Sequence, residues 1–166
     1  CGTEFTILSG DDGLLFDMMT DEKIAAAGVI SVVSNLAPKA MSDLVRLLTD
    51  KEIDAARKLA EALTPLFGLV TVTAQAQSPY GPVVCRARNP LALKTVMRLL
   101  GLPAGPCRPP LGKMSRGGLE KVVEIARTVQ SRNPEILAPL AEFFNVDVES
   151  RLSDDRLLEG LYYPIY

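Results

Sequence analysis

The sequence contains no histidine and no tryptophan. Without histidine there is no Ser-His-Asp or Cys-His nucleophilic apparatus and no imidazole-ligated metal site. Cysteine is scarce: Cys1, Cys85 and Cys107 are odd in number, far apart, and form no C-x-x-C pair. That excludes a zinc ribbon and dithiol redox chemistry, and it gives no sign of a disulfide framework. An excess of one charge is missing as well. The formal net charge is −2, acidic and basic residues are interspersed, and no basic stripe marks a nucleic-acid partner. No apolar run approaches the roughly 20 residues of a membrane span. The first residues lack the basic stretch, longer apolar run and small-residue cleavage site of a secretory signal. The expected setting is cytoplasmic, with neither membrane nor metal. What is present, 166 residues at 48% hydrophobic and 23% charged, suits one globular domain.

The chain is organised around Gly28-Val29-Ile30-Ser31-Val32-Val33-Ser34-Asn35, a β-branched run closed by Leu36-Ala37-Pro38. One helix-length earlier stands a similar run, Phe5-Thr6-Ile7-Leu8-Ser9, ending in Gly10-Asp11-Asp12-Gly13. Short apolar runs bounded by turn residues predict strands over 4–9 and 29–34. Asp12 is the expected N-cap of a helix over about 13–25, with Leu15, Met18 and Met19 inward. A connection of roughly 20 residues makes the two strands parallel and the crossover right-handed. Chemistry is expected just past the strand ends.

Pro38 belongs in the first turn of the next helix, whose inner face is Met41, Leu44, Val45 and Leu48. A helix over about 51–66 follows, capped by Asp50, with Ile53, Ala56, Ala60 and Leu63 inward and a bend or stop at Thr64-Pro65. The alternation of Leu69-Val70-Thr71-Val72-Thr73, the turn signal Ser78-Pro79-Tyr80-Gly81 and the run at Val83-Val84 predict a β-hairpin within 69–88. Asn89 should cap a helix bearing Leu93, Val96, Met97 and Leu100, ended by Gly101. A Pro- and Gly-rich connector spans 102–114. Ser115 should cap a helix with Leu119, Val122, Val123 and Ala126 inward. Asn133 should cap another, with Leu137, Leu140, Ala141 and Phe144 inward, and Ser153 should start a last one. The aromatic tail Tyr162-Tyr163-Pro164-Ile165-Tyr166 should dock on the body.

Two parallel strands do not make a stable sheet, since parallel strands are buried on both faces and need neighbours. The chain, opening on Cys1 rather than Met, therefore reads as a portion of a larger α/β sheet or barrel, and the isolated piece should fold poorly.

Ser9-Gly10-Asp11-Asp12, a helix, and then Gly28-Val29-Ile30-Ser31-Val32-Val33-Ser34-Asn35 resemble the seventh and eighth βα units of the dihydrodipicolinate synthase (4-hydroxy-tetrahydrodipicolinate synthase) family. That family reads G-D-D and then G-V-I-S-V-T-x-N. Ala55-Ala56-Arg57, Leu63-Thr64-Pro65-Leu66-Phe67, Asn89-Pro90 with Lys94, and Leu99-Leu100-Gly101-Leu102 continue the resemblance. Val33 replaces the frequent Thr, Asn89-Pro90-Leu91-Ala92-Leu93-Lys94 replaces Asn-Pro-Ile-Pro-Val-Lys, and the 69–88 segment and the tail after about 131 exceed the usual lengths.

The resemblance implies an α/β fold that is the C-terminal part of a (β/α)8 TIM barrel, its last two βα units, plus a C-terminal helical extension. The expected division is 1–68 for those units and the following helix, 69–88 for a hairpin-like excursion, and 89–166 for the helical region. The implied activity is a lyase of lysine biosynthesis, a homotetramer that joins pyruvate to aspartate semialdehyde through a Schiff base on a lysine. That lysine would precede residue 1, so no catalytic residue is expected in this chain, and no cofactor. The resemblance makes Ile30 a substrate-binding residue through its backbone carbonyl. It places Gly10 and Asp11 at the strand exit lining the pocket, where a turn glycine and a capping pair explain them equally. Lys94, on a helix beyond the eighth unit, is structural by the same resemblance; Lys23 and Lys39 read as solvated helix-end lysines, and Arg86, Arg88 and Arg108 as surface residues or subunit contacts. N-acetylneuraminate lyase, 2-keto-3-deoxy sugar-acid aldolase and a non-catalytic interaction fragment stay open as alternatives.

Overall fold

The computed structural model describes residues 4–165. Cys1 and Tyr166 therefore lie outside the described residues. The two apolar runs do lie side by side and parallel. Ser9 bridges Val29, with Ala27 N donating to Ile7 O at 2.8 Å, Ser9 N to Gly28 O at 2.8 Å and Ile30 N to Ser9 O at 2.9 Å. The expected strands over 4–9 and 29–34 shrink to this single bridge, and Val33–Asn35 is a turn of 3-10 helix instead. A parallel ladder extends only as far as its neighbours allow, and none of the described residues supplies a further strand to this pair. The side chains the expectation buried are open: Phe5 is 63% exposed, Leu8 46% and Ile30 71%.

The crossover is shorter than expected. A 3-10 turn, Asp12–Leu14, leads into α1, Leu15–Thr20. Asp11 caps the turn in place of Asp12. The helix stops because Asp21 takes the amides of Lys23 and Ile24 on its Oδ1 at 2.7 and 3.2 Å, closing a turn.

Beyond residue 36 the chain is a helical body. In α2, Pro38–Thr49, Pro38 does occupy the first turn, and Met41, Leu44 and Leu48 are buried, with Val45 half-buried. In α3, Ile53–Phe67, Ala56, Leu63 and Leu66 face inward. Three details differ from expectation. No side chain caps α3, Ile53 is 37% exposed, and the helix runs through Pro65. Pro65 stands in the last turn, so only one helical hydrogen bond is forfeited there. A hairpin follows: β1, Thr71–Ser78, pairs antiparallel with β2, Gly81–Arg88, around a two-residue turn at Pro79-Tyr80. The next helix, α4, spans Leu91–Leu99; Pro90 precedes it and Asn89 makes no side-chain cap. Gly101, at φ 87°, turns the chain out of α4, and Arg151 packs where a β-carbon would sit.

Met114–Ser115 forms β3, and α5, Arg116–Arg132, is capped by Ser115 accepting from Gly118 N as expected. This helix is the centre of the body, with Leu119, Val122, Val123, Ala126 and Val129 at 3% exposure or less. It also lies on the hairpin. Gly117 sits against Ala74 and the Gln75 carbonyl, and the Lys121 amine donates to the Thr73 carbonyl at 2.6 Å. A 3-10 turn, Pro134–Ile136, without an Asn133 cap, then α6, Ala138–Phe144, and α7, Val148–Ser153, complete the extension. Ser153 ends α7, whose N-cap is Asp147; the short helix expected to start at Ser153 is a 3-10 turn, Asp155–Leu158, capped by Asp154. Two arginines tie the extension down: Arg127 donates twice to Leu152 O, at 2.9 and 2.6 Å, and Arg151 to Leu99 O at 2.6 Å. The aromatic tail docks as β4, Tyr162–Tyr163, parallel to β3, with the Tyr163 ring against Gly112 where no β-carbon has room.

Candidate functional site

The two strand exits meet at Asp12. Its carboxylate is 3% exposed, and Oδ2 accepts from both Val32 N and Val33 N at 3.0 Å. One buried oxygen thus holds two amides of the 3-10 turn that follows the second strand. Oδ1 of the same carboxylate has no hydrogen-bond partner among the described residues. Around this clamp each exit closes on itself. Ser9, fully buried, donates from Oγ to Asp11 O at 2.7 Å. Asp11 Oδ1 accepts from Gly13 N at 2.8 Å. Ser31 Oγ accepts from Ser34 N at 2.8 Å, Ser34 Oγ returns a bond to Ser31 O at 2.9 Å, and Asn35 Nδ2 donates to Val32 O at 2.9 Å. Side-chain-to-backbone bonds of this kind fix a turn that has no ladder to hold it.

Gly10, Asp11 and Ile30 are brought to the same end of the strand pair. Gly10 is exposed, with open space where a β-carbon would point. Asp11 is exposed and occupied in its capping bond. Ile30 is held at its amide by Ser9 O while its side chain faces out. The lysines stand apart from this cluster. Lys39 pairs with Asp43 at 2.7 Å on the surface of α2, Lys23 lies exposed in the turn after α1, and Lys94 donates to Pro106 O at 3.1 Å. Arg86, Arg88 and Arg108 are exposed. Beside the second strand exit a cleft of ≈ 370 Å³ opens between Ser31, Val32 and Asn35 on one wall and Asn89, Leu93 and Lys94 on the other. No group of three Cys, Asp or Glu side chains among the described residues is placed to hold a metal, and no described helix is long and apolar enough to cross a membrane. Asp12 is the residue whose part the sequence concealed: an Asp after a glycine reads as a local cap, and nothing nearby signals partners 20 and 21 positions on.

The sequence model of the Dihydrodipicolinate synthetase family matches residues 1–129. The chain belongs to that family. A 4-hydroxy-tetrahydrodipicolinate synthase of Archaeoglobus fulgidus is 31% identical over 127 residues, which is 76% of this chain and 38% of that protein. One from Methanothrix thermoacetophila is 37% identical over 111 residues, 67% of this chain and 32% of that protein. Among solved structures, the 4-hydroxy-tetrahydrodipicolinate synthase of Methylacidiphilum fumariolicum superposes with a TM-score of 0.62 at 33% identity, covering 91% of this chain and 41% of its own. The dihydrodipicolinate synthase of Aquifex aeolicus gives 0.61 at 30% identity, covering 76% and 38%. The fold is accordingly an α/β fold of the dihydrodipicolinate synthase type. The chain spans less than two fifths of the length of these curated relatives.

Proposed function

We propose that this chain supplies one wall of the active site of a pyruvate-dependent lyase, and that the protein containing it condenses pyruvate with aspartate semialdehyde in lysine biosynthesis. The observation that carries the reading is the pair of parallel strand exits clamped by Asp12, in a chain whose relatives bear the synthase name. In (β/α)8 barrels the chemistry sits at the C-terminal ends of the strands, and the clamp gathers Gly10, Asp11 and Ile30 at that end. Residues 1–68 are then the last two βα units and the helix after them, 69–88 an added hairpin, and 89–166 the helical region. Ile30 presents its carbonyl to bound pyruvate, and among the described residues no hydrogen bond occupies that oxygen. Gly10 leaves room for substrate beside it, and Asp11 fixes the turn.

The nucleophile is a lysine outside residues 1–166. A Schiff base needs a neutral amine, which burial favours by penalising the charged form. The lysines at issue here do not fit: Lys39 is in an exposed ion pair, and Lys94 is bonded to a main-chain carbonyl beside an open cleft. The reading extends to a cytoplasmic tetramer, with the exposed Phe5, Leu8 and Ile30 covered by the remainder of the barrel. The test is borohydride trapping with pyruvate on the protein translated from the complete coding sequence. The adduct should map to a lysine outside residues 1–166. An adduct on Lys94 or Lys39, or a coding sequence with no further strand bearing a lysine, would overturn the reading.

A further inference from the structure

The charges are less evenly spread than their totals suggest. Between Glu61 and Glu120 the chain has no Asp or Glu, yet it holds seven of its 18 Lys and Arg. The cleft beside the second strand exit draws one wall from this stretch. Among the described residues, Lys94 is the only charged one lining it. No carboxylate lies within ion-pair distance of the Lys94 amine among the described residues, and its one bond, to Pro106 O at 3.1 Å, leaves two N–H groups unused. Across the cleft, Ser31 Oγ accepts from Ser34 N, so its own proton is free to be donated. Asn35 Nδ2 has one proton committed to Val32 O and a second left over; Asn89 donates its main-chain amide to Val70 O at 2.8 Å, and among the described residues no bond engages its side-chain amide.

We infer that this cleft is a binding site for a small oxyanion, a carboxylate or a phosphate. An ammonium without a counter-ion, facing neutral donors and no acid, favours an anion on both charge and hydrogen bonding. At ≈ 370 Å³ it falls within the roughly 300–1,000 Å³ of small-molecule pockets. Gly10, Asp11 and Ile30 do not line it, so the inference stands whether or not the lyase reading does. An occupant would draw Ser31 and Asn35 toward α4 and so bear on the turn that Asp12 holds.

The test is a titration of the protein translated from the complete coding sequence with malonate, and separately with inorganic phosphate, at ionic strength held constant with sodium chloride and followed by amide chemical shifts. Saturable shifts centred on residues 31–35 and 89–97 are expected with at least one probe, and the better probe identifies which oxyanion the cleft prefers. Lys94→Met should weaken binding roughly tenfold or more, as loss of a charge-assisted bond does, while Lys94→Arg should retain it. Asn89→Asp, which supplies an internal carboxylate while Lys94 remains, should weaken it comparably and decides the matter if Lys94→Met fails to fold. Shifts that do not saturate, that chloride reproduces, or that persist unchanged in both Lys94→Met and Asn89→Asp would overturn the inference.

Discussion

The parallel strand pair and the helical body are built from equally apolar sequence, yet they end in opposite states. In the body, Leu63, Leu66 and Val122 reach zero exposure, because α3, α4, α7 and the hairpin pack on α5, α2 packs on α3, and each apolar stripe has a facing partner. In the strand pair, Phe5, Leu8 and Ile30 remain open, and order comes from polar groups instead: three main-chain bonds, the Asp12 clamp and the serine turns. A helix satisfies its own backbone and needs only one face covered. A parallel strand needs neighbours on both edges and layers on both faces. The same hydrophobicity therefore yields a core in one region and an unmet surface in the other.

The comparison is broken most severely at the centre of the body. Leu63→Ala should cost about 2–5 kcal/mol in a denaturant melt, and a loss below about 1 kcal/mol would mean the body is not the stable unit. Asp12→Ala comes next, since it deprives two buried-side amides of a charged acceptor; a loss of about 1.5–3 kcal/mol is expected, with faster hydrogen exchange at Val32 and Val33 than in α5. Unchanged exchange at those two amides would show that the clamp is idle. Ser115→Ala removes the α5 cap and should cost about 1 kcal/mol, read by the same melt. Ile30→Ala should change stability by less than about 0.5 kcal/mol in this chain, because its side chain already faces out; a core-sized loss would contradict the difference between the regions.

The smallest effect lies in the extension. The Asp147 carboxyl is held below the ordinary carboxylate range by its bonds from the Ser150 hydroxyl and amide, and Asp154 by the Arg156 guanidinium and amide. Groups depressed in the folded state contribute stability above their unfolded value and lose it as pH falls through the folded one. The α7 cap and the turn after it should therefore loosen only at pH below the usual carboxylate range. Amide shifts of Ser150 and Arg156 followed from neutral to acid pH check this; loosening already near neutrality would refute it.

Where a local rule decides the outcome, the sequence was legible. Pro38 in a first turn, Ser115 as a cap, Gly101 past a helix end and the Ser78–Gly81 turn were all readable because each involves residues within a few positions. The family was legible for a related reason, since Gly10-Asp11-Asp12 and Gly28–Asn35 carry a distinctive pattern at one crossover spacing. What escaped was set by distance or by missing neighbours. Asp12 looked like a cap because its true partners, Val32 and Val33, are remote. The strand lengths were overestimated because periodicity measures what a segment can pair with, not what is there. Pro65 suggested a bend or stop because its place in the final turn depends on where α3 ends, at Phe67. The cap after α7 was placed one residue early, at Ser153, because Asp154 carries the carboxylate that takes the Arg156 amide.

The position of α5 along the hairpin has a consequence for how copies of this chain behave in crowded solution. A two-stranded ribbon of eight-residue strands is a template for stacking into fibres. On the β1 side, the Lys121 amine occupies the Thr73 carbonyl and Gly117 lies over Gln75. On the β2 side, Pro82 has no N–H to offer an incoming strand, and the exposed Arg86 and Arg88 repel an identical edge. The hairpin is thereby kept from recruiting its own kind, even while the parallel strand pair stays open to a partner strand.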